Sequence, residues 1–180
     1  RVFSPTADHR EAFADEFTDR IDAEVSAVET ASAAVAGADV VITATNASDP
    51  VIADEDVAAG AHVTAMGQYH RKKNELPPEL GARATYVPDI RERATQDAGS
   101  FLAAAEAGLV GPDHVAADLG EVVAGERPGR TSDDEVTVFD SGGTGVETVA
   151  AAHMLYRRAS EAGRGTTIEF APASEALTGR

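Results

Sequence analysis

The sequence predicts an α/β fold built on a doubly wound parallel sheet. Residues 38–45 form an apolar run rich in Val, Ile and Thr, without alternation of polar and apolar side chains. This pattern is typical of a parallel strand that is covered on both faces. Residues 62–66 form a second run of this kind, and segments with a helical pattern separate the strand-like runs. Such alternation favours a doubly wound sheet whose ligands bind at the carboxyl ends of its strands.

Shorter signals predict the remaining elements. Apolar and β-branched runs predict further strands at residues 2–4, 25–28, 84–87 and 136–139. Helical patterns are found at residues 6–17, 30–36, 54–57, 91–96, 100–107 and 144–162. The last helix is the longest, and we expect Val146, Val149 and Met154 to pack inward from it. A short element at residues 119–125 ends in a glycine turn, and residues 168–170 carry a weaker strand signal.

Acidic residues dominate the charge of the chain. Its 31 Asp and Glu residues against 15 Lys and Arg residues give a formal net charge of −16, and Lys72 and Lys73 are the only lysines. The acids are spread along the whole chain. This spread favours a hydrated carboxylate surface, as on the proteins of salt-loving organisms, over an acidic segment that binds a basic partner. Nucleic-acid binding is disfavoured because no basic stripe is available to neutralise phosphates.

Composition also limits the other classes of site. The chain has no cysteine, which excludes disulfides, thiol catalysis and cysteine-based metal sites. Its histidines lack metal-ligand spacing, so we expect no metal site. We expect a cytoplasmic protein, because no apolar run approaches the roughly 20 residues of a membrane span and no signal peptide is evident. The chain opens with Arg1 directly before a strand-like run, and we expect that it begins within the fold.

Candidate binding residues follow the predicted strands, at residues 4–6, 45–46 and 66–68. The glycine-rich residues 140–145 lie between a strand and the long helix. Such a turn presents backbone N–H groups to an anion or polar ligand, although a tight turn capped by Ser141 explains it equally well. The glycine fingerprint G-x-G-x-x-G of dinucleotide-binding domains is absent.

A local positive cluster stands out in this acidic chain. Residues 65–76 contain both lysines, beside His70 and Arg71. A cofactor phosphate or the carboxylate of a small substrate would explain the cluster. A solvated loop of chance composition remains the other interpretation.

Taken together and in order, several segments resemble the ornithine cyclodeaminase/mu-crystallin family. They are residues 35–45, 60–67, 75–76, 119–125, 128–135 and 139–142. The resemblance implies a Rossmann-type sheet that lacks its first βα unit, followed by a C-terminal helical return segment. Residues 1–145 would then be a partial dinucleotide-binding domain, and residues 146–180 a helix and tail that return to a substrate and dimerisation domain. The resemblance implies that the chain is a C-terminal fragment. Its acidic, lysine-poor composition favours an origin in a halophilic archaeon.

The resemblance also implies a function for the full-length protein. Members of this family are homodimeric, NAD- or NADP-dependent ornithine cyclodeaminases, alanine dehydrogenases or ketimine reductases that act on an amino acid or imine. By position, Met66, Gly67 and Gln68 would line the nicotinamide side, with Thr45, Lys73 and Ser141 beside the cofactor. Ser4 and Thr6 would flank the adenosine ribose. A non-catalytic binder of a nucleotide or small molecule, or the remnant of a decayed gene, is the alternative.

Two positions depart from the family pattern. Cyclodeaminases carry a catalytic Asp where this chain has Tyr69, which is therefore the candidate catalytic residue. A tyrosine, with a usual pKa near 10, replaces a carboxylate poorly at neutral pH. Many NADP-binding members carry an Arg where Pro5 stands, and Ser4 is not the acid expected for a ribose diol. Arg10 could reach a 2′-phosphate, so the choice between NAD and NADP stays open.

The substitution at Tyr69 predicts which reaction the full-length protein performs. We expect imine reduction or amino-acid oxidation without efficient conversion of ornithine to proline, because a positioned acid or base contributes about 10²–10⁴-fold to such proton transfers. The test compares the wild type with Tyr69→Asp and Tyr69→Phe on ornithine and on a cyclic imine. A gain of ornithine turnover in Tyr69→Asp would support the prediction, and rapid turnover by the wild type would contradict it.

Overall fold

The fold is described from a computed structural model that covers residues 1–67 and 70–168. The chain divides into two compact units, Arg1–Gly142 and Gly143–Arg180. Among the described residues, the first unit contains the sheet and most of the helices, and the second contains one long helix.

A parallel four-stranded sheet is the centre of the first unit. Its strands are β1 (Val40–Thr43), β2 (His62–Ala65), β3 (Thr85–Pro88) and β4 (Thr137–Asp140), in the order β1-β2-β4-β3. All three neighbouring pairs are parallel. The α/β fold predicted from the sequence is confirmed, and residues 40–43 and 62–65 are adjacent strands as expected.

In the described part of the first unit, six helices accompany this sheet: α1 (Ala7–Thr18), α2 (Ala31–Val35), α3 (Pro78–Arg83), α4 (Arg91–Asp97), α5 (Gly99–Glu106) and α6 (Leu119–Val123). Single 3₁₀ turns cover Asp54–Asp56 and Pro112–His114. The Thr30 hydroxyl oxygen accepts a hydrogen bond from the Ala33 N–H at 3.1 Å and so caps α2. Helix α3 was not among the expected elements; a proline stands in its first turn and is compatible with that position.

One face of the sheet carries the hydrophobic core. Val41, Val63, Val138 and Tyr86 occupy matching register positions on this face, and all four are buried. They belong to one cluster with side chains from the helices and loops, including Leu76, Leu80 and Phe101. The rings of Tyr86 and Phe101 lie 5.5 Å apart, within the range of favourable aromatic pairs.

The opposite face of β1 is open to solvent. Val40 is 59% exposed and Ile42 is 65% exposed. The expectation that this strand is buried on both faces is therefore wrong, because no described part of the chain covers these side chains. Strand β2 shows the same alternation more weakly, with Val63 and Ala65 buried and His62 and Thr64 half-buried.

The strands predicted at residues 2–4 and 25–28 are observed as one isolated bridge. Val2 forms a parallel bridge with Ala27, in which the Val2 N–H donates to Ser26 O and the Val28 N–H donates to Val2 O, both at 2.9 Å. Helix α1 follows directly and agrees with the predicted helix at residues 6–17.

The second unit contains helix α7 (Gly145–Glu161). Thr144 and Glu147 cap its first turn reciprocally: the Glu147 N–H donates to Thr144 Oγ1, and the Thr144 N–H donates to the Glu147 carboxylate. The long helix is confirmed, but its expected inward packing is wrong. Val146 is 73% exposed and Val149 is 68% exposed, because no other described element of this unit packs on them. The strand signal at residues 168–170 lies mostly outside the described residues.

Gly60, just before β2, allows a test of the packing at the amino ends of the strands. Its φ is +79°, and a Cβ atom there would lie 2.4 Å from the backbone oxygen of Asp133. We expect Gly60→Ala to lower the free energy of unfolding by about 2 kcal/mol or more, from backbone strain and this overlap. Chemical denaturation measures the change.

Gly120→Ala is the matched control. Gly120 lies in α6, and its added Cβ would meet no atom within 4 Å. Alanine favours a helix over glycine, so this control should be neutral or stabilised by up to about 1 kcal/mol. Equal stability of the two variants would contradict the proposed packing at Gly60.

Candidate functional site

Three neighbouring strands end at one edge of the sheet. Because β1, β2 and β4 are adjacent and parallel, the residues after them emerge side by side. The Met66 N–H donates to Thr43 O at 2.7 Å, and the Ser141 N–H donates to Ala65 O at 2.9 Å. The carboxyl edge of a parallel sheet is where ligands of this fold class bind. This edge is therefore the candidate site.

A buried carboxylate, that of Glu75, connects the ends of β1 and β2. Glu75 is 4% exposed. One of its oxygens accepts from the Thr45 N–H at 2.5 Å; the other accepts from the Thr43 hydroxyl at 2.9 Å and the Gly67 N–H at 2.7 Å. Hydrogen bonds to an ionised group are shorter and stronger than neutral ones. Glu75 thereby links the segments that follow two different strands.

Gly67 is required by this arrangement. A Cβ atom at Gly67 would lie 2.4 Å from Cδ of Glu75 and 2.5 Å from its Oε2. No real Cβ makes contacts that short. Any larger residue at position 67 would therefore displace the carboxylate.

A small cavity of about 20 Å³ lies below the edge. It is lined by Ala47, Gly67, Lys73, Asn74, Glu75, Gly99, Ser100 and Asp140. This volume suits a single water molecule, not a substrate. The oxygen of the Asn74 side chain is buried there without a hydrogen-bond partner. A ligand of this site must therefore bind above the edge and not inside it.

Asp140, the last residue of β4, is a second buried carboxyl group at this edge. Asp140 is only 6% exposed, and the Tyr86 hydroxyl donates a hydrogen bond to its carboxyl group. Burial raises the pKa of Asp140 to about 6; the bond from Tyr86 lowers it, and the negative charges of Asp89 and Glu75 raise it. The carboxyl group therefore changes charge near neutral pH, unlike an exposed aspartate.

A larger cleft, of about 510 Å³, lies at the opposite edge of the sheet. It is lined by residues at the amino ends of the strands, among them Thr85 and Glu135. Hydrogen bonds to its carboxylate, the strongest from the Thr85 hydroxyl and the next from the Thr131 backbone, lower the pKa of Glu135 to about 2. Arg83 is tied there to Asp54 at 2.6 Å. These groups bind one another at the amino ends of the strands, so this larger cleft is not our candidate site.

The structure brings several sequence-predicted residues together. Met66, Gly67 and Ser141 follow adjacent strands, and Glu75 links Gly67 to Thr45. The Lys73 ammonium donates to Asn46 O, next to Thr45, at 3.3 Å.

Other predicted residues lie apart from this group. Ser4 and Thr6 follow the Val2 bridge, which is not hydrogen-bonded to the four-stranded sheet. The Arg10 guanidinium donates to Ser4 O at 3.1 Å. Gln68 and Tyr69 lie outside the described residues. The roles assigned to all these residues remain predictions.

Sequence reasoning singled out neither Glu75 nor Asp140 as functional. Glu75 was part of a matching segment, and Asp140 was part of a glycine-rich turn. The available signal was an acid next to apolar residues, Leu76 for one and Phe139 for the other. Pattern alone does not show that such an acid is buried.

The part of the chain that the structure describes has neither a metal-binding cluster nor a helix that could cross a membrane. No group of three or more His, Asp and Glu side chains there could hold a metal ion. No helix there is long and apolar enough to cross a membrane.

Comparisons with known proteins agree with this architecture. The profile of the ornithine cyclodeaminase/mu-crystallin family matches residues 1–163. A Delta(1)-pyrroline-2-carboxylate reductase of Bacillus cereus is 35% identical over 170 residues, which are 94% of this chain and 52% of that protein.

Solved structures match in the same way. The Delta(1)-pyrroline-2-carboxylate reductase of Thermococcus litoralis, in complex with NADH and L-proline, has a TM-score of 0.87 and 30% identity over 93% of this chain and 52% of its own. An archaeal alanine dehydrogenase dimer with bound NAD has a TM-score of 0.82 and 33% identity over 94% of this chain and 52% of its own. The chain spans about half the length of the relatives it matches.

The pKa of Asp140 predicts a pH dependence of stability. Because folding raises this pKa from 3.8 to about 6, the folded state binds the proton more tightly. The resulting stabilisation is complete below pH 3.8 and is lost as the pH rises through 6. Asp140→Asn lacks this titration and retains an oxygen that accepts from Tyr86.

Denaturation as a function of pH tests this prediction. Between acidic and neutral pH, the wild type should lose about 3 kcal/mol relative to Asp140→Asn. Asp113→Asn, which removes an exposed acid, should follow the wild type. Parallel pH profiles of wild type and Asp140→Asn would show that Asp140 titrates as an ordinary aspartate.

Proposed function

Because the chain belongs to the ornithine cyclodeaminase/mu-crystallin family, we propose that it forms the nicotinamide-binding sheet of an amino-acid or imine oxidoreductase. One observation carries the proposal. Thr45, Gly67 and Ser141 follow three adjacent parallel strands, at the edge where this fold class binds its ligands. The similarity to a reductase in complex with NADH and L-proline supports the cofactor and the substrate class.

The exposed residues at this edge suit a dinucleotide. Met66 is 53% exposed, and such an apolar surface fits the flat face of a nicotinamide ring. Thr45 and Ser141 add hydroxyl groups that can hydrogen-bond its carboxamide. The buried frame beneath them keeps these groups in place. We assign Met66, Gly67, Thr45 and Ser141 to the nicotinamide side, together with Lys73 and, from the sequence alone, Gln68.

The segment with Ser4 and Thr6 fits the other end of the cofactor. Thr6 precedes helix α1, but its side chain does not cap the helix and is exposed. Its hydroxyl is therefore available for a ribose. The Arg10 guanidinium is held at Ser4 O, beside these hydroxyl groups. A cation at this position favours a 2′-phosphate, whereas an acid would favour the free ribose diol of NAD.

A bound nicotinamide would accept a hydride from Cα of an amino acid or donate one to the carbon of the corresponding imine. The described residues of this chain bind and orient at this edge. Tyr69 is our candidate for the proton transfer at the substrate nitrogen, on the sequence alone.

We further propose a homodimer adapted to high salt, from a halophilic archaeon, that acts in the cytoplasm. The exposed apolar side chains of α7, including Val146 and Val149, support an association surface. The similar archaeal alanine dehydrogenase is a dimer. A net charge of −16 with two lysines supports stability in concentrated salt, where repulsion between carboxylates is screened.

Nicotinamide fluorescence on the protein at its natural length, in high salt, tests the proposal. We expect saturable binding of NADH or NADPH and reduction of a cyclic imine such as Delta(1)-pyrroline-2-carboxylate. Arg10→Ala should weaken NADPH binding about tenfold if Arg10 contacts the 2′-phosphate, since one charged hydrogen bond is worth about 1.5–3 kcal/mol. The control is Arg20→Ala, in which an exposed pair with Glu16 is lost.

Three outcomes are distinguishable. Binding with turnover supports the enzyme. Binding without turnover over a panel of amino acids and cyclic imines would favour a non-catalytic binder. Absence of binding to either nucleotide would overturn the proposed function.

A further inference from the structure

We propose that Glu75 is a positioning residue: it fixes the distance between the segments that present Thr45 and Gly67 to the dinucleotide. The inference rests on the proposed function for the identity of the ligand. It rests on the geometry of Glu75 for the role of the residue. Glu75 itself is buried, so it acts on the cofactor only through Thr45 and Gly67, whose backbone N–H groups donate to it.

The sheet itself does not hold these two segments together. The last backbone hydrogen bond between the ends of β1 and β2 runs from the Met66 N–H to Thr43 O. Thr45 and Gly67 lie beyond this hydrogen bond in their two segments. The Glu75 carboxylate accepts from both backbone N–H groups, one on each oxygen. It thus continues the connection past the end of the sheet.

Glu75 is itself fixed from three directions. The Val51 N–H donates to Glu75 O at 2.9 Å, which ties its backbone to the loop after β1. The next residue, Leu76, is fully buried in the core. The Thr43 hydroxyl, also buried, orients Oε2. A carboxylate held in this way transmits the rigidity of the core to the exposed edge.

The chemistry of the three donors requires a carboxylate. An ionised Glu offers only acceptors, and two of its partners are backbone N–H groups, which cannot reverse their polarity. In Glu75→Gln, the side-chain NH₂ group must face either the Thr45 N–H or the Gly67 N–H. One backbone donor is then left without its partner, while the volume of the side chain hardly changes.

The test compares Glu75→Gln with Glu79→Gln in the protein at its natural length. Glu79 is exposed four residues away, in the first turn of α3, so it controls for the loss of one negative charge. Three quantities are measured: the thermal unfolding transition, hydrogen exchange at the Thr45 and Gly67 amides, and the Kd for NADH and NADPH.

We expect Glu75→Gln to unfold cooperatively, to exchange faster at one or both amides, and to bind the preferred nucleotide about tenfold more weakly, because one partly buried backbone N–H loses its charged acceptor. Glu79→Gln should resemble the wild type in all three. An unchanged Kd in folded Glu75→Gln, with the wild type binding, would overturn the inference. If the wild type binds neither nucleotide, the proposed function fails, and the exchange rates alone decide whether Glu75 holds the two segments.

Thr43→Val is the second variant, for the case in which Glu75→Gln does not fold. It removes the hydroxyl that orients the carboxylate and leaves both backbone donors bonded. We expect faster exchange at the Gly67 amide and a Kd raised roughly two- to threefold, the effect of one neutral hydrogen bond at the lower end of its range. No change in either quantity would overturn the inference.

Discussion

The parallel pairing of β4 with both β2 and β3 is the constraint on which the site depends. Among the described residues, β4 is the last strand along the chain, yet it lies inside the sheet. Its position places Ser141 directly against the end of β2, where the Ser141 N–H bonds to Ala65 O. Were β4 at the outer edge beyond β3, Ser141 would be separated from Met66 and Gly67 by a whole strand. The candidate edge and the proposed nicotinamide side both require this one crossover.

Two buried carboxyl groups support that edge in different ways. Burial of an ionised group is costly unless hydrogen bonds compensate it. Glu75 receives hydrogen bonds from three donors, so its charge joins the ends of two strands. Asp140 receives a bond from Tyr86, and burial raises its pKa to about 6, so its charge is only partly compensated. The edge therefore combines one rigid ionic connection with one group that titrates near neutral pH.

The two incorrect burial expectations have a common cause. Val40 and Ile42 on β1, and Val146 and Val149 on α7, have the composition of core residues but are exposed. The local sequence pattern indicates that a strand or helix has an apolar surface. It does not indicate which part of a polypeptide covers that surface. Apolar area of this kind is typical of regions that associate with other chains or segments.

By itself, the sequence determined the class of fold, the approximate positions of β1, β2 and β4, and the long helix α7, because these elements have strong local patterns. It also pointed to Thr45, Met66 and Gly67, because residues that follow parallel strands share one edge, and to Ser141 through the glycine-rich turn and the family resemblance. Only the tertiary structure decided the strand order β1-β2-β4-β3 and the burial of Glu75 and Asp140. The physical reason is that strand order and burial depend on contacts between residues far apart in the chain. Glu75 and its donor Thr43 lie 32 residues apart, and Asp140 and Tyr86 lie 54 apart. A local pattern of side chains does not predict such contacts.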